Sequence, residues 1–67
     1  MENTHERHRE CGMVYHHICG SEQYVAAEVE RVQRDYPAAG YGTRLSLLTQ
    51  DANGHTTACV TRSASCD

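Results

Sequence analysis

The stretch Ser21–Tyr36, Ser-Glu-Gln-Tyr-Val-Ala-Ala-Glu-Val-Glu-Arg-Val-Gln-Arg-Asp-Tyr, limits what this chain can fold into more than any other. Val25, Val29, Val32 and Tyr36 recur at steps of four, three and four, which stacks them on one narrow face of a helix. Ser21 offers a hydroxyl to the first turn, and Glu22 sits where the positive end of the helix dipole favours a carboxylate. Pro37 drives Tyr36 away from helical dihedrals and ends the run. One face is apolar and the others are charged, so the helix has to lie on a second layer. It reads as the lid of a core.

A chain of 67 residues makes one small domain. Such a domain buries only about 60% of the surface its unfolded form exposes, so its core gains from a staple, a metal or a partner. There is no Phe and no Trp, and Tyr15, Tyr24, Tyr36 and Tyr41 are the only large aromatic residues. The formal net charge is −3 and all six basic residues are arginine. A phosphate-binding surface shows as a basic excess, so nucleic acid is not the expected partner. The acidic helix positions Glu22, Glu28, Glu30 and Asp35 read as a solvated face with Glu30–Arg34 and Glu28–Arg31 pairs; docking to a basic groove is the rival reading. Apart from Met1 the first ten residues are wholly polar, without the apolar run of a secretory signal. No stretch approaches the roughly 20 apolar residues of a membrane span. A cytoplasmic setting is expected, with Cys11, Cys19, Cys59 and Cys66 reduced. In an exported form the four cysteines allow three disulfide pairings that spacing alone does not rank.

Residues 1–10 lack periodicity and are expected as a flexible arm. Residues 12–19, Gly-Met-Val-Tyr-His-His-Ile-Cys, are short, β-branched and aromatic, and read as a strand. Met13, Tyr15, His17 and Cys19 lie on one face and Val14, His16 and Ile18 on the other, with the inward face open. After the helix, Pro37–Gly42 reads as a tight loop of small residues. Residues 43–49 read as a strand with Leu45 and Leu47 on one face and Arg44, Ser46 and Leu48 on the other. Asp51-Ala52-Asn53-Gly54 is the strongest turn signal, and it admits two registers. A two-residue Asn53-Gly54 loop pairs Leu47 with Val60 and turns Val60 inward. A three-residue loop with a glycine bulge pairs Leu47 with Cys59 and turns Cys59 inward. Burying Val60 gains more than burying Thr57 and Thr61, which favours the first. A last strand spans about residues 55–62, and 64–67 is a polar tail. The expected fold is α+β, in the order β-α-β-β, within residues 11–63. One amphipathic helix packs on one face of a three-stranded, mainly antiparallel sheet. Either of the two later strands can be central.

His5, His8, Cys11, His16, His17, Cys19, His55, Cys59 and Cys66 are zinc-ligand types, but no Cys-x-x-Cys pair is present. On an extended 12–19, His16 and His17 point to opposite faces, and Cys11 and Cys19 lie roughly 25 Å apart. No metal or cofactor is expected. His55 and Cys59 are about 13 Å apart along a strand, and no glycine-rich oxyanion loop accompanies His17 and Cys19. Phosphate-loop, dinucleotide and paired-carboxylate motifs are missing, and no catalytic residues are expected. Recognition of a protein remains, with Tyr41, Arg44, Leu48 and Arg62 as the expected contact residues on the loop after Pro37 and the uncovered side of the sheet. In size and architecture alone, one helix on a small sheet without a catalytic set resembles several phage or mobile-element microproteins that bind and inhibit a host enzyme, anti-CRISPR proteins among them. The resemblance implies a small non-catalytic inhibitor. The rival expectations are a zinc- or thiol-dependent structural domain and a homodimer with no other partner.

Overall fold

The computed structural model describes residues 2–64. Its elements are β1 (Thr4–Glu10), β2 (Met13–Gly20), α1 (Glu22–Asp35), the single turn α2 (Ala38–Tyr41), β3 (Arg44–Gln50) and β4 (Thr56–Ser63). The strands form one sheet in the order β1-β2-β4-β3, and every neighbouring pair is antiparallel. The class is therefore α+β with one long helix on an antiparallel sheet, but with four strands in the order β-β-α-β-β where the sequence reading expects three. β4 takes a central place, one of the two arrangements left open. No helix among the described residues is long and apolar enough to cross a membrane.

The correction lies at the N-terminus. Residues 4–10, expected as an arm, pair with β2 along their whole length, from Thr4 opposite Cys19 to Glu10 opposite Met13. A two-residue loop closes this hairpin, with Cys11 at φ 52° and Gly12 at φ 79°. Two positive φ angles in succession are the type I′ geometry that suits the twist of a hairpin. A second tie holds the other end of β1: the Asn3 Oδ1 accepts the Ser21 N–H at 3.1 Å.

α1 forms where the valine period places it. The Ser21 Oγ accepts the Tyr24 N–H at 3.2 Å, and the Tyr36 N–H closes the last turn on the Val32 carbonyl. Val25 and Val32 pack on Ile18, Ala58 and Val60, with Tyr24, Val29 and Tyr36 along the margin. Ile18 and the buried valines each contribute about 1.5–3 kcal/mol by removal from water, so a handful of side chains carries this core. The inward face of β2 is thus the Val14, His16, Ile18 face. Beyond Pro37 the chain makes one helical turn, ended by Gly42 at φ 64°, where a plain loop is expected.

The β3–β4 hairpin takes the register that the sequence reading ranks second. The Asp51 N–H bonds the His55 carbonyl, the Gly54 N–H bonds the Asp51 carbonyl, and Gly54 has φ 82°. The loop is therefore three residues long, and Leu47 sits opposite Cys59. Asp51 decides this, because its Oδ1 accepts the N–H of both Asn53 and His55, at 2.9 and 3.0 Å. Val60 still faces the core, because a bulge between Leu45 and Leu47 returns Leu45 to a position opposite Val60. The bulge residue Ser46 donates its hydroxyl to the Cys59 carbonyl at 3.0 Å. As a result Leu45 and Leu47, expected on one face, lie on opposite faces of the sheet. Ala64 is buried and its N–H bonds the Gly12 carbonyl. The rest of the expected tail, 65–67, lies outside the described residues.

Candidate functional site

α1 packs on the two central strands, β4 and β2. One helix covers about two strand widths, since a helix is about 10 Å across and strands are about 4.8 Å apart. β3 therefore has no roof. Leu45 is 39% exposed and Leu48 59% exposed on the α1 side, and Leu47 is 47% exposed on the other side. Between α1 and β3 runs a groove of about 470 Å³, floored by Val25, Ala26 and Val29 of the helix and by Leu45 and Leu48 of the strand. Glu22 and Glu30 stand on its helix side. Glu22 reaches across at one end, where its Oε2 lies 3.5 Å from the Gln50 Nε2. Among the described residues Glu30 makes no ion pair, so the expected pair with Arg34 does not form, whereas Glu28 meets Arg31 at 3.7 Å.

The opposite flank of α1 is filled by a polar chain. The Arg62 Nε–H donates to the His16 Nε2 at 3.0 Å. With that nitrogen accepting, a neutral His16 carries its proton on Nδ1 and donates to the His5 Nε2 at 2.9 Å. His5 then holds its proton on Nδ1 and donates to the Glu28 Oε2 at 3.3 Å. The Tyr36 ring lies over the Arg62 guanidinium, 3.6 Å from its Cζ, an attractive face for a cation removed from water. The chain joins β1, β2, β4 and α1. It ties these elements to one another.

The four expected contact residues separate. Arg62 is wholly buried on the α1 side, away from the uncovered side where the sequence reading looks for it. It turns inward because it sits opposite Val14 on a core-facing position and finds His16 and Tyr36 there. Tyr41 is half-buried and meets the Tyr36 ring edge-on, with centroids 5.2 Å apart. Arg44 and Leu48 are exposed on β3, at its start and toward its end. They lie on opposite faces, opposite Thr61 and Ala58. Leu45 and Leu47 belong to the same exposed strand, although burial on a core face is what their apolar character suggests. One signal was available: a single helix with a four-residue stripe cannot cover every apolar position of the sheet.

On the uncovered side, Glu6, His17, Cys59 and Leu47 form one row across the four strands. Carboxylate, imidazole and thiol are thus neighbours, yet no hydrogen bond joins His17 to Cys59, and the Cys59 side chain sits low among its neighbours. The backbone N–H groups around it belong to the sheet ladder, which leaves no cluster of donors for an oxyanion. Among the described residues no group of three His, Cys, Asp or Glu side chains converges as a metal site. Cys11, Cys19 and Cys59 are free thiols. No protein-family model matches the chain, and neither a curated protein nor a solved structure matches it.

Proposed function

We propose that this chain is a non-catalytic protein-binding module that takes an extended segment of another polypeptide onto the free edge of β3. The supporting observation is that edge itself: a seven-residue edge strand, Arg-Leu-Ser-Leu-Leu-Thr-Gln, with all three leucines exposed and an apolar groove alongside. An open, apolar edge offers unpaired backbone groups for strand addition and side-chain contacts for selectivity. Arg44 and Leu48 keep the contact role expected of them, joined by Leu45 and Leu47. Tyr41 and Arg62 support the fold from behind. Occupying a strand on a host enzyme is sufficient for inhibition without chemistry, which accommodates the inhibitor reading and a cytoplasmic setting with reduced thiols. The test is capture from a native extract with the tagged full chain. A stoichiometric polypeptide is expected with the unaltered chain and with Arg34→Ala on the solvated helix face, and is lost with Leu48→Lys. Equal recovery with Leu48→Lys removes β3 as the docking surface.

A further inference from the structure

We propose, building on the reading of β3 as a docking edge, that its occupant is β1 of a second copy of this chain, so that copies join head to tail into one continuous antiparallel sheet. The directions already agree. Each strand runs antiparallel to its neighbour across β1-β2-β4-β3, so β1 of a second copy placed beside β3 is antiparallel to it with both long helices on the same side. The lengths agree as well, since β1 and β3 have seven residues each.

Charge selects this pairing on both faces. On the α1 side β1 presents His5, Arg7 and Arg9, because these stand opposite the inward Ile18, His16 and Val14. Its other face carries Glu6, His8 and Glu10. With Arg44 set opposite the second copy's Glu10, and the extra residue at Ser46 allowed for, Leu45 meets Arg9, Leu48 meets Arg7 and Gln50 meets His5. The Arg9 stem then lies along the exposed Leu45 and its guanidinium reaches toward Glu30 on the rim. On the far face Arg44 meets Glu10, and Leu47 meets the ring of His8.

The two symmetric alternatives lack this fit. Two β1 strands back to back set arginine against arginine. Two β3 strands bring only leucine and glutamine under an acidic rim that then gains a second acidic rim. A contact this narrow belongs to the small, weak class of interface.

Sedimentation of the full chain tests it. The unaltered chain is expected to grow in mass with concentration and to pass the dimer, because a head-to-tail contact leaves a free edge at each end. Leu48→Lys blocks β3, and Arg9→Glu reverses a charge of β1 that meets Leu45. Each variant alone is expected to be monomeric, and an equimolar mixture to give a dimer that grows no further, since one intact β1 and one intact β3 remain. Arg9→Gln replaces Arg9→Glu if the latter loses its circular dichroism. A monomeric unaltered chain, or a mixture that stays monomeric, overturns the second-copy inference and leaves the docking role of β3 to the capture experiment. Association that persists in Arg9→Glu and vanishes in Leu48→Lys overturns it in favour of pairing between two β3 strands.

Discussion

β1 carries Thr-His-Glu-Arg-His-Arg-Glu along one edge of the sheet, and β3 carries Arg-Leu-Ser-Leu-Leu-Thr-Gln along the other. Neither strand has a fully buried residue, yet the two are held in place by different means. β1 gains almost nothing from apolar burial. It is fixed by ladder hydrogen bonds, by the Asn3–Ser21 tie and by the chain from Arg62 through His16 and His5 to Glu28. Its alternating charges also disfavour a second β1 alongside, which is how edges are guarded against their own kind. β3 is held by a well-capped turn and by half-covered leucines, and only Arg44 charges it. The difference shows that an edge is secured either by polar wiring to the layer behind it or by apolar contact. The second means leaves the edge adhesive.

The most damaging way to break the β1 side is to cut its wiring at the root. Arg62→Ala removes the donor to the His16 Nε2 and the cation beneath Tyr36 from a fully buried position. A loss of about 3 kcal/mol is expected, a large share of the stability of a domain this small. Urea denaturation measures it, and amide exchange should show β1 opening before β3. A loss below about 1 kcal/mol, within the range of a surface change, would mean that the wiring is incidental to the fold.

On the β3 side the sensitive point is the turn. Asp51→Ala removes the carboxylate that accepts from Asn53 and His55, and with it the preference for the three-residue loop. The cost should be about 1 kcal/mol, with part of the population moving to the two-residue Asn53-Gly54 register that faces Leu47 with Val60. Cross-strand nuclear Overhauser contacts distinguish the registers: Leu47 with Cys59 in the unaltered chain, Leu47 with Val60 in the slipped form. An unaltered Leu47–Cys59 contact with unchanged stability would shift the decision from Asp51 to the bulge at Ser46.

These two edges also explain how much the sequence revealed. The helix, its cap, its end and the β4 strand were legible because each rests on a period or a local signal: the valine spacing, Ser21, Pro37, and Ala58 with Val60. β1 was not legible, because a strand stabilised by backbone pairing and polar wiring has no hydrophobic period to read. The Cys11-Gly12 loop hid it further, since Asn-Gly or Asp-Gly is the usual sign of such a turn. The β3 register failed for another reason. Two rules competed there, turn chemistry and burial of Val60, and the Ser46 bulge satisfied both at once. Arg62 was placed outside because a lone arginine on a strand is ordinarily solvated, and its inward partners His16 and Tyr36 are distant in sequence.

The smallest effect sharpens the comparison at the β1 turn. Cys11 holds φ 52°, a left-handed conformation that costs an ordinary side chain roughly 1 kcal/mol and that asparagine adopts more readily. Cys11 is exposed and has open solvent around it, so the exchange disturbs no packing. Cys11→Asn is therefore expected to stabilise the chain by about 0.5–1 kcal/mol, a rise of about 3–6 °C in Tm for a domain of this length. The gain should appear selectively as slower amide exchange in β1 and β2, with β3 unchanged. An unchanged Tm with equal exchange on both edges would show that the turn is not what limits β1, and that its stability resides in the His16–Arg62 wiring alone.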